Sequence, residues 1–424
     1  MMKMIAALCV AVPCAASAQA SQQRASATMA DGPLTLEQAV AAAGGSAPMM
    51  EAASAGVEAA RAARTTAALR PNPSLQGQVE NVVGSGPYRG LRSAETTLGV
   101  AVPIELGGKR GARIAVADAQ LSRAELQAAM TAADVRYQVT QLYVEAVAAA
   151  RRLSTAGDQH RVTGDALHAA QVRVQAGRAS PLEEQRAMVA RALSLARLEQ
   201  TERLAGATRE NLARRIGRPV DGPLDDAWLD ALPPVTYGPS AIASATGTLT
   251  LAAAEADLAV TDANVRLFRA ARVPDLTVGP ALRRLSATND TAAVFSVSLP
   301  IPLFNAGRSA LAQARSERVR ADSQRRATAL DVEQAITDAR AEVANAAASA
   351  RAASGPAMTA AAEAARIARI GYREGKFGQL DLLDAERTLA DTRLAAIDAL
   401  ATYHNAQARL ERLTAPVPQG ETLP

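Results

Sequence analysis

The side chains that could do chemistry are few and widely spaced in this sequence. Asp381 and Asp384 lie three residues apart, the spacing at which two carboxylates share one face of a helix. Such a pair could mimic an acid–base pair, but no phosphate loop, nucleophile motif or pocket-forming domain accompanies it. The residues therefore argue against an enzyme. Asp381 could instead stabilise the start of a helix, whereas capping explains Asp384 less well.

A resident metal or cofactor is not indicated either. The histidines are His160, His168 and His404, and the first two lie eight residues apart without a third ligand at matching spacing. The only cysteines, Cys9 and Cys14, precede residue 20. We therefore expect no metal site and no cofactor.

The first 20 residues have the pattern of a secretory signal peptide. A positive start at Lys3 leads into an apolar stretch, and two A-x-A cleavage patterns follow at 16–18 and 18–20. We expect the exported chain to begin near Gln19 or Ser21, without cysteine or disulfide. Lipid attachment at Cys14 is the alternative, but Pro13 stands where lipoprotein signals carry a small residue.

Composition points to long, closely packed helices. The 424 residues include 102 alanines, and only 3% are aromatic, so small side chains must form most helix contacts. The net charge of +4 is spread along the chain without a basic block, which argues against nucleic-acid binding. No run of 18 apolar residues predicts a transmembrane helix.

An internal repeat of roughly 200 residues organises the chain. Pro73-Ser74-Leu75 recurs as Pro274-Asp275-Leu276, Pro103-Ile104-Glu105-Leu106 as Pro300-Ile301-Pro302-Leu303, and Gly177 as Gly375. We expect a signal peptide at 1–20, a first repeat at 21–217, a proline-rich linker at 218–248, a second repeat at 249–414 and a tail at 415–424.

Each repeat predicts a helix, a β-hairpin and a long helical hairpin. The β-hairpins are expected at 74–106 and 275–303, and the helical hairpins at 110–217 and 307–414. Gly355-Pro356 should interrupt the second long helix. The first one carries a heptad seam with one stutter, typical of a coiled coil. Its positions are Ile114, Ala117, Leu121, Ala124, Ala128, Ala132, Val135, Val139, Leu142, Ala146, Ala149 and Leu153.

Glycines and caps mark the turns between the long helices. Gly177 and Gly375 stand where C′ glycines end a helix. Ser180, Pro181 and Glu183 match a capping box, with the serine at the N-cap and the acid at N3. Gly378 and Asp381 place an acid at N3 of the last helix.

The strands alternate with period two and are long enough to cross a bilayer at a tilt. Leu98, Val100, Val102, Ile104 and Leu106 form one such series, and Phe295, Val297, Leu299, Ile301 and Leu303 form another. Four strands cannot close a barrel, and open edges cannot face lipid. Three chains would supply 12 strands and bundle their helical rods into a hollow cylinder. Two hairpins packed on a soluble core are the alternative.

Nearly the whole exported chain resembles the TolC-type outer-membrane factors, the outer membrane efflux protein family. The likeness rests on the order of elements, the duplication, the turns and the prolines beside the strands. Three segments resemble its cobalt-zinc-cadmium branch, namely 80–97, Pro103-Ile104-Glu105-Leu106-Gly107-Gly108-Lys109-Arg110 and Val273-Pro274-Asp275-Leu276.

The resemblance implies a mainly α fold with a membrane β part. Long antiparallel coiled-coil helices would form a trimeric α-barrel below a shared 12-stranded β-barrel in the outer membrane, extending into the periplasm. The homotrimer would be a passive channel-tunnel that exports divalent heavy-metal cations. Its partners would be outer-membrane lipid, a periplasmic adaptor and an inner-membrane, proton-driven pump of the resistance-nodulation-division (RND) type.

The resemblance also implies roles for single residues. Asp381 and Asp384 correspond to acidic rings at a periplasmic gate, and Tyr372 to a residue that latches its closed state. Phe377 stands where the family carries the arginine of that latch. The adaptor-docking tips correspond to Gly177, Arg178, Ser180, Gly375 and Lys376.

Other functions remain open on the sequence. The same tunnel could serve a pump for drugs or other organic compounds. A periplasmic adaptor or a coiled-coil structural protein would also have long helical hairpins, although adaptors usually carry only one.

Overall fold

The computed structural model describes residues 32–234 and 242–418, which fold into long helices and one four-stranded sheet. The predicted signal peptide lies outside the described residues, as do parts of the predicted linker and tail. Among the described residues no helix is both long and apolar enough to cross a bilayer.

The first repeat contains four helices and two strands within the described residues. They are α1 (Leu36–Ser46), α2 (Pro48–Ala67), β1 (Ser74–Glu80), β2 (Glu95–Ile104), α3 (Lys109–Gln175) and α4 (Pro181–Ile216). The predicted first helix is therefore two helices, because Pro48 starts a new one at a position where its missing N–H is not needed. At 1.5 Å per residue, the 67 residues of α3 span roughly 100 Å.

The second repeat contains the matching elements. They are α5 (Leu249–Ala270), β3 (Leu276–Leu285), β4 (Asp290–Ser298), α6 (Arg308–Ala352), α7 (Met358–Arg373) and α8 (Gln379–Leu413). A π-helical turn at Ala353–Ala357 separates α6 from α7 and contains Gly355 and Pro356. The predicted interruption is thus confirmed, and the wider turn accommodates a proline that cannot donate a helical hydrogen bond.

The sheet has the strand order β1-β2-β3-β4, and all its neighbours are antiparallel. Two predicted strands are too long. The Leu106 amide, expected in a strand, donates to Asp275 Oδ1 at 3.1 Å. β4 ends before Leu299 because Pro300 and Pro302 have no N–H for a ladder. The loop between β3 and β4 is short, since Leu285 pairs with Asp290.

Register gives the sheet two chemically different faces. Leu98 lies opposite Leu282, and this face continues into neighbouring strands with side chains that are exposed in the single chain: Leu75, Val79, Val100, Phe295 and Val297. The other face carries Gln76, Gln78, Thr97, Ala281 and Ser296. The predicted alternation of apolar and small or polar residues is therefore confirmed.

Charged side chains lie on the polar face at the loop end of the sheet. Arg283 Nη1 donates to Glu95 Oε2 at 2.8 Å, Nε donates to Thr97 Oγ1 at 3.0 Å, and Nη2 lies 3.3 Å from Glu80 Oε2. Glu80 and Glu95 are direct cross-strand partners, so Arg283 offsets the repulsion between two like charges.

A second charged group joins the sheet to the helices. Lys109 Nζ donates to Asp275 Oδ1 at 2.7 Å, which ties the start of α3 to the residue before β3. Arg113 Nη2 donates to Glu105 Oε2 at 3.0 Å. The first repeat is thereby fastened to the second repeat at the base of the sheet.

The core lies around the middle of α3, which packs against α1, α2, α4, α5 and α8. Several predicted seam positions are buried, among them Val135, Val139, Ala146 and Ala149, whereas Ala132 is exposed. The seam missed Tyr143, Val144, Val147 and Ala148, which are all fully buried. α3 is surrounded on several sides here, so a single stripe does not describe its buried surface.

The stretch after α4, predicted as an irregular linker, is packed into this core. Leu229 is fully buried, and the Trp228 ring lies 4.0 Å from the His404 ring between centroids. The Tyr143 hydroxyl donates to the Leu34 carbonyl at 2.7 Å. His404 Nε2 lies 2.9 Å from the Leu229 carbonyl, so this nitrogen carries the proton. The part of the connection around Trp228 and Leu229 is therefore packed into the fold.

Acidification should weaken this region through His404. Burial lowers the pKa of the His404 imidazole below its ordinary value of 6.5. Between that value and the lower native pKa, the unfolded chain binds more protons than the native one, so the free energy of unfolding falls as pH decreases. Above pH 6.5 this group has no effect.

Thermal unfolding of the detergent-solubilised protein between about pH 7.5 and about pH 5 tests this expectation. His404→Gln should flatten the pH dependence of the midpoint, whereas the control His168→Gln on an exposed part of α3 should leave it unchanged. Equal pH dependence in both variants would assign the effect to another group.

Candidate functional site

The two helical hairpins turn with the same backbone geometry. Gly177 and Gly375 have φ of 68° and 73°, in the left-handed region that glycine adopts without strain. Each turn is a Schellman motif, so the predicted C′ glycines are confirmed. Its hydrogen bonds run from Arg178 N to Arg173 O (2.8 Å), from Gly177 N to Val174 O (3.0 Å), from Lys376 N to Gly371 O (2.8 Å) and from Gly375 N to Tyr372 O (3.1 Å).

Both turns lie at the same end of the molecule. The Arg173 guanidinium carbon is 5.0 Å from the centroid of the Tyr372 ring, a cation–π contact between α3 and α7. All the residues predicted as docking tips are exposed in these turns: Gly177, Arg178, Ser180, Gly375 and Lys376. The fold therefore brings the two sets of predicted tip residues to one end of the chain.

The predicted capping box at Ser180 is wrong. Ser180 Oγ accepts a hydrogen bond from Leu182 N at 3.3 Å, so the serine does cap α4. However, Glu183 N donates to the Ser180 carbonyl at 2.9 Å and is not available to the hydroxyl. Glu183 Oε2 is buried and has no hydrogen-bond partner among the described residues, so the reciprocal half of the box is missing as well.

The two candidate gate aspartates differ in their surroundings. Asp381 Oδ2 accepts a hydrogen bond from Gly378 N at 2.9 Å, so this carboxylate caps its own helix. Asp384 lies one turn further along α8, is exposed, and forms no hydrogen bond or ion pair within the described part of the chain. The Asp384 carboxylate is therefore unpaired within the described part of the chain, whereas the Asp381 carboxylate also fixes the start of α8.

Tyr372, the third predicted gate residue, lies in the last turn of α7. Its hydroxyl is buried and finds no hydrogen-bond partner among the described residues. Its ring contacts Arg173 of α3. The tyrosine thus links the two hairpins through its ring.

Above the turns, an ion pair that sequence reasoning missed joins α7 to α8. Arg369 Nη2 donates to Glu386 Oε2 at 2.7 Å, and Nε donates to Oε1 in a second, shorter bond. The Glu386 side chain is only 3% exposed. The hydrogen bond to this carboxylate raises the pKa of Arg369. Seventeen residues separate the partners, and no helical period links them, so the sequence contains no signal for the pair.

A polar cleft of about 480 Å³ opens between α3, α7 and α8 at this level. Arg393 Nη1 lies 3.4 Å from Asp158 Oδ2 and bridges α8 to α3. The cleft carries three carboxylates and four guanidinium groups, on Asp158, Asp165 and Glu386 and on Arg161, Arg369, Arg373 and Arg393. Because charges of both signs are interleaved, the cleft is suited to joining helices and not to concentrating cations.

The three histidines have separate surroundings. His160 Nδ1 is 3.1 Å from Ser194 Oγ, His168 is exposed, and His404 belongs to the core. Within residues 32–234 and 242–418 no group of three or more histidine, cysteine or carboxylate side chains could hold a metal ion.

Comparison with known proteins adds a family. The sequence profile described as outer membrane efflux protein matches residues 39–218 and 246–415, which cover both repeats. The cobalt-zinc-cadmium resistance protein CzcC of Cupriavidus metallidurans is 29% identical over 91% of this chain and 90% of its own length. The nickel and cobalt resistance protein CnrC of the same organism is 30% identical over 69% of this chain and 70% of its own length.

Solved structures show the same fold. The outer membrane protein VceC of Vibrio cholerae superposes with a TM-score of 0.72, covering 90% of this chain and 96% of that one at 19% identity. The predicted fold class, mainly helical with four antiparallel strands per chain, is thereby confirmed.

Loss of the Glu386 carboxylate should loosen the end of α7. Glu386→Gln leaves Arg369 without its ionic partner, and since the guanidinium is partly exposed we expect a cost of about 1 kcal/mol. That cost makes local opening about fivefold more frequent. Trypsin should then cut after Arg373 and Lys376 several times faster than in the unmodified protein.

Glu363→Gln is the matched control for this experiment. It removes the same kind of carboxylate from an ion pair with Arg366 on α7, but that pair is exposed to solvent. Cleavage should stay at the unmodified rate in the control. Equal cleavage rates in the two variants would show that the Arg369–Glu386 pair does not hold the hairpin closed.

Proposed function

The chain belongs to the outer membrane efflux protein family, and we propose that it is the outer-membrane channel of a tripartite heavy-metal efflux system. The observation that carries the proposal is the two-faced sheet on a long helical body. Its apolar face is exposed in one chain and suits lipid, while its polar face suits a water-filled passage. Relatives named for resistance to cobalt, zinc, cadmium and nickel support the choice of cargo.

Closure of the sheet requires more than one chain. β1 and β4 each have a neighbour on one side only, and their free backbone groups cannot remain unpaired in hydrocarbon. Three chains would close a barrel of 12 strands, an even number within the range of bacterial outer-membrane barrels. The same threefold arrangement would join the helical hairpins into a hollow cylinder. The length of α3 would carry that cylinder deep into the periplasm.

The channel is a passive conduit and does not select its metal. A selective site for zinc or cobalt needs three or four nitrogen or sulfur ligands in fixed geometry. The scattered histidines and the charge-balanced cleft offer no such set among the described residues. Selection therefore belongs to the proton-driven inner-membrane pump and its periplasmic adaptor.

The turns at the far end of the helices are the docking and gating region. The adaptor would bind around Gly177, Arg178 and Ser180 in one turn and Gly375 and Lys376 in the other, all of which are exposed. Three copies of Asp381 and Asp384 would line the narrow end with up to six carboxylates. Such rings attract hydrated cations, and their mutual repulsion makes closure depend on ions and pH. Tyr372 would complete the gate.

Removing the ring charges should weaken cation block of the channel. Asp381→Asn with Asp384→Asn keeps an oxygen acceptor for Gly378 N but removes both charges, so the helix start is preserved. In planar bilayers, purified trimers, identified by native mass, should then require several-fold more divalent cation for half-maximal block. Glu411→Gln near the other end of α8 should behave like the unmodified channel. Unchanged block in the double variant would exclude a gate at these aspartates.

Resistance of whole cells tests the cargo and the passive mechanism together. Deleting the gene should make cells sensitive to zinc, cobalt or cadmium, and the unmodified gene should restore growth. A variant with His160→Ala, His168→Ala and His404→Gln should also restore it, provided that trimer levels are normal. Failure of that variant would contradict a passive conduit. Sensitivity to organic toxicants alone would assign the channel to a different pump.

A further inference from the structure

The two Schellman turns differ in which of two equivalent positions carries the bulky side chain. In the first turn the helix position three from the end is Arg173, and the residue two after the C′ glycine is Ala179. In the second turn the same two positions are Gly371 and Phe377. The bulky group therefore extends from the helix in one hairpin and from the turn in the other.

Phe377 lies with its ring directly on Gly371. A Cβ atom built on Gly371 would stand 2.6 Å from Phe377 Cε2 and 2.7 Å from Cγ, so no larger residue fits beneath the ring. Gly371 is helical and buried, and its backbone conformation does not require glycine. The glycine is therefore explained by the close approach of the ring. We call Gly371 the socket of Phe377.

Backbone hydrogen bonds fix this ring relative to the start of α8. The Gly371 carbonyl accepts from Lys376 N at 2.8 Å and from Phe377 N at 3.1 Å. The next residue is Gly378, whose amide is held by Asp381 Oδ2. The residue that carries the ring is therefore linked to the Asp381 carboxylate through the backbone of two consecutive residues.

We propose that Phe377 in its socket is an apolar lock that holds the second hairpin in the closed arrangement of the gate. This inference rests on the proposed channel function. Phe377 is a positioning residue, since it acts through the placement of Asp381 and Asp384. Contact between a ring and a backbone carries no charge, so the lock holds at high salt and across neutral pH, unlike an ionic latch. The ring is still 41% exposed and remains accessible at the tip.

Alanine in the socket provides the test. In Gly371→Ala the new methyl group and the ring cannot occupy the same space, so the ring leaves and the gate opens more often. We expect single-channel conductance or open probability to rise several-fold, and to remain raised at about 1 M salt, where ionic contacts are screened. Phe377→Ala should give the same rise. In the double variant the second change should add nothing, because the contact between the ring and residue 371 is already lost.

Gly157→Ala is the matched control, since a methyl group there meets open space on α3. Alanine is favoured over glycine in helices by up to about 1 kcal/mol, so helix propensity alone would stabilise both alanine variants and would not open the gate. Phe377→Leu, which keeps an apolar side chain, should give an intermediate conductance. It still tests the lock if the alanine variants fail to fold.

Three outcomes would overturn the proposal while the unmodified protein conducts: normal conductance in Gly371→Ala and Phe377→Ala, an additive double variant, or faster tryptic cleavage after Lys376 without a change in conductance. A protein that forms no channel before mutation contradicts the proposed function itself.

Discussion

The backbone groups at the two free edges of the sheet are the constraint on which the rest of the architecture depends. Water can satisfy them in a soluble protein, but a lipid environment cannot. In the proposed channel the apolar side chains around Leu98 and Leu282 would face lipid, and the edges would then have to pair with other copies of the chain. The ion pair of Lys109 with Asp275 then couples that closure to α3, because it joins the base of the sheet to the long helix.

Different interactions stabilise different levels of the helical body. Around Tyr143 the helices are held by small and aromatic side chains with almost no exposure, and the contact of Trp228 with His404 packs the segment after α4 against α8. Nearer the turns the contacts become ionic, as in the pair of Arg369 with Glu386. At the tip itself a single aromatic ring packs on a glycine. The region proposed as the gate is thus held by few and separable contacts, whereas the core is not.

Much of the fold could be predicted from the sequence because it repeats local patterns. Apolar residues at every second position predicted the strands. Gly177 and Gly375 predicted the helix ends, since a residue there must adopt the left-handed backbone conformation that glycine favours. The prediction failed where one side chain can accept from either of two nearby backbone amides. At Ser180 the hydroxyl accepts from the Leu182 amide and not from that of Glu183. The prediction also missed the partners of Glu386 and His404, because contacts between distant residues follow no sequence period.

The pairing of β2 with β3 has a consequence for biogenesis. Glu95 pairs with Leu285, although both long helices of the first repeat, the connection and α5 lie between them. A chain that emerges amino-terminus first presents the β1–β2 hairpin, with Leu75 and Leu98 on one face, long before its partner strands exist. The helices rely on local contacts and form first, while the sheet waits for a distant pairing that is slow to close. During that delay the hairpin exposes apolar side chains and an unpaired edge, so the interval before β3 is available is the one in which this chain is most prone to aggregate.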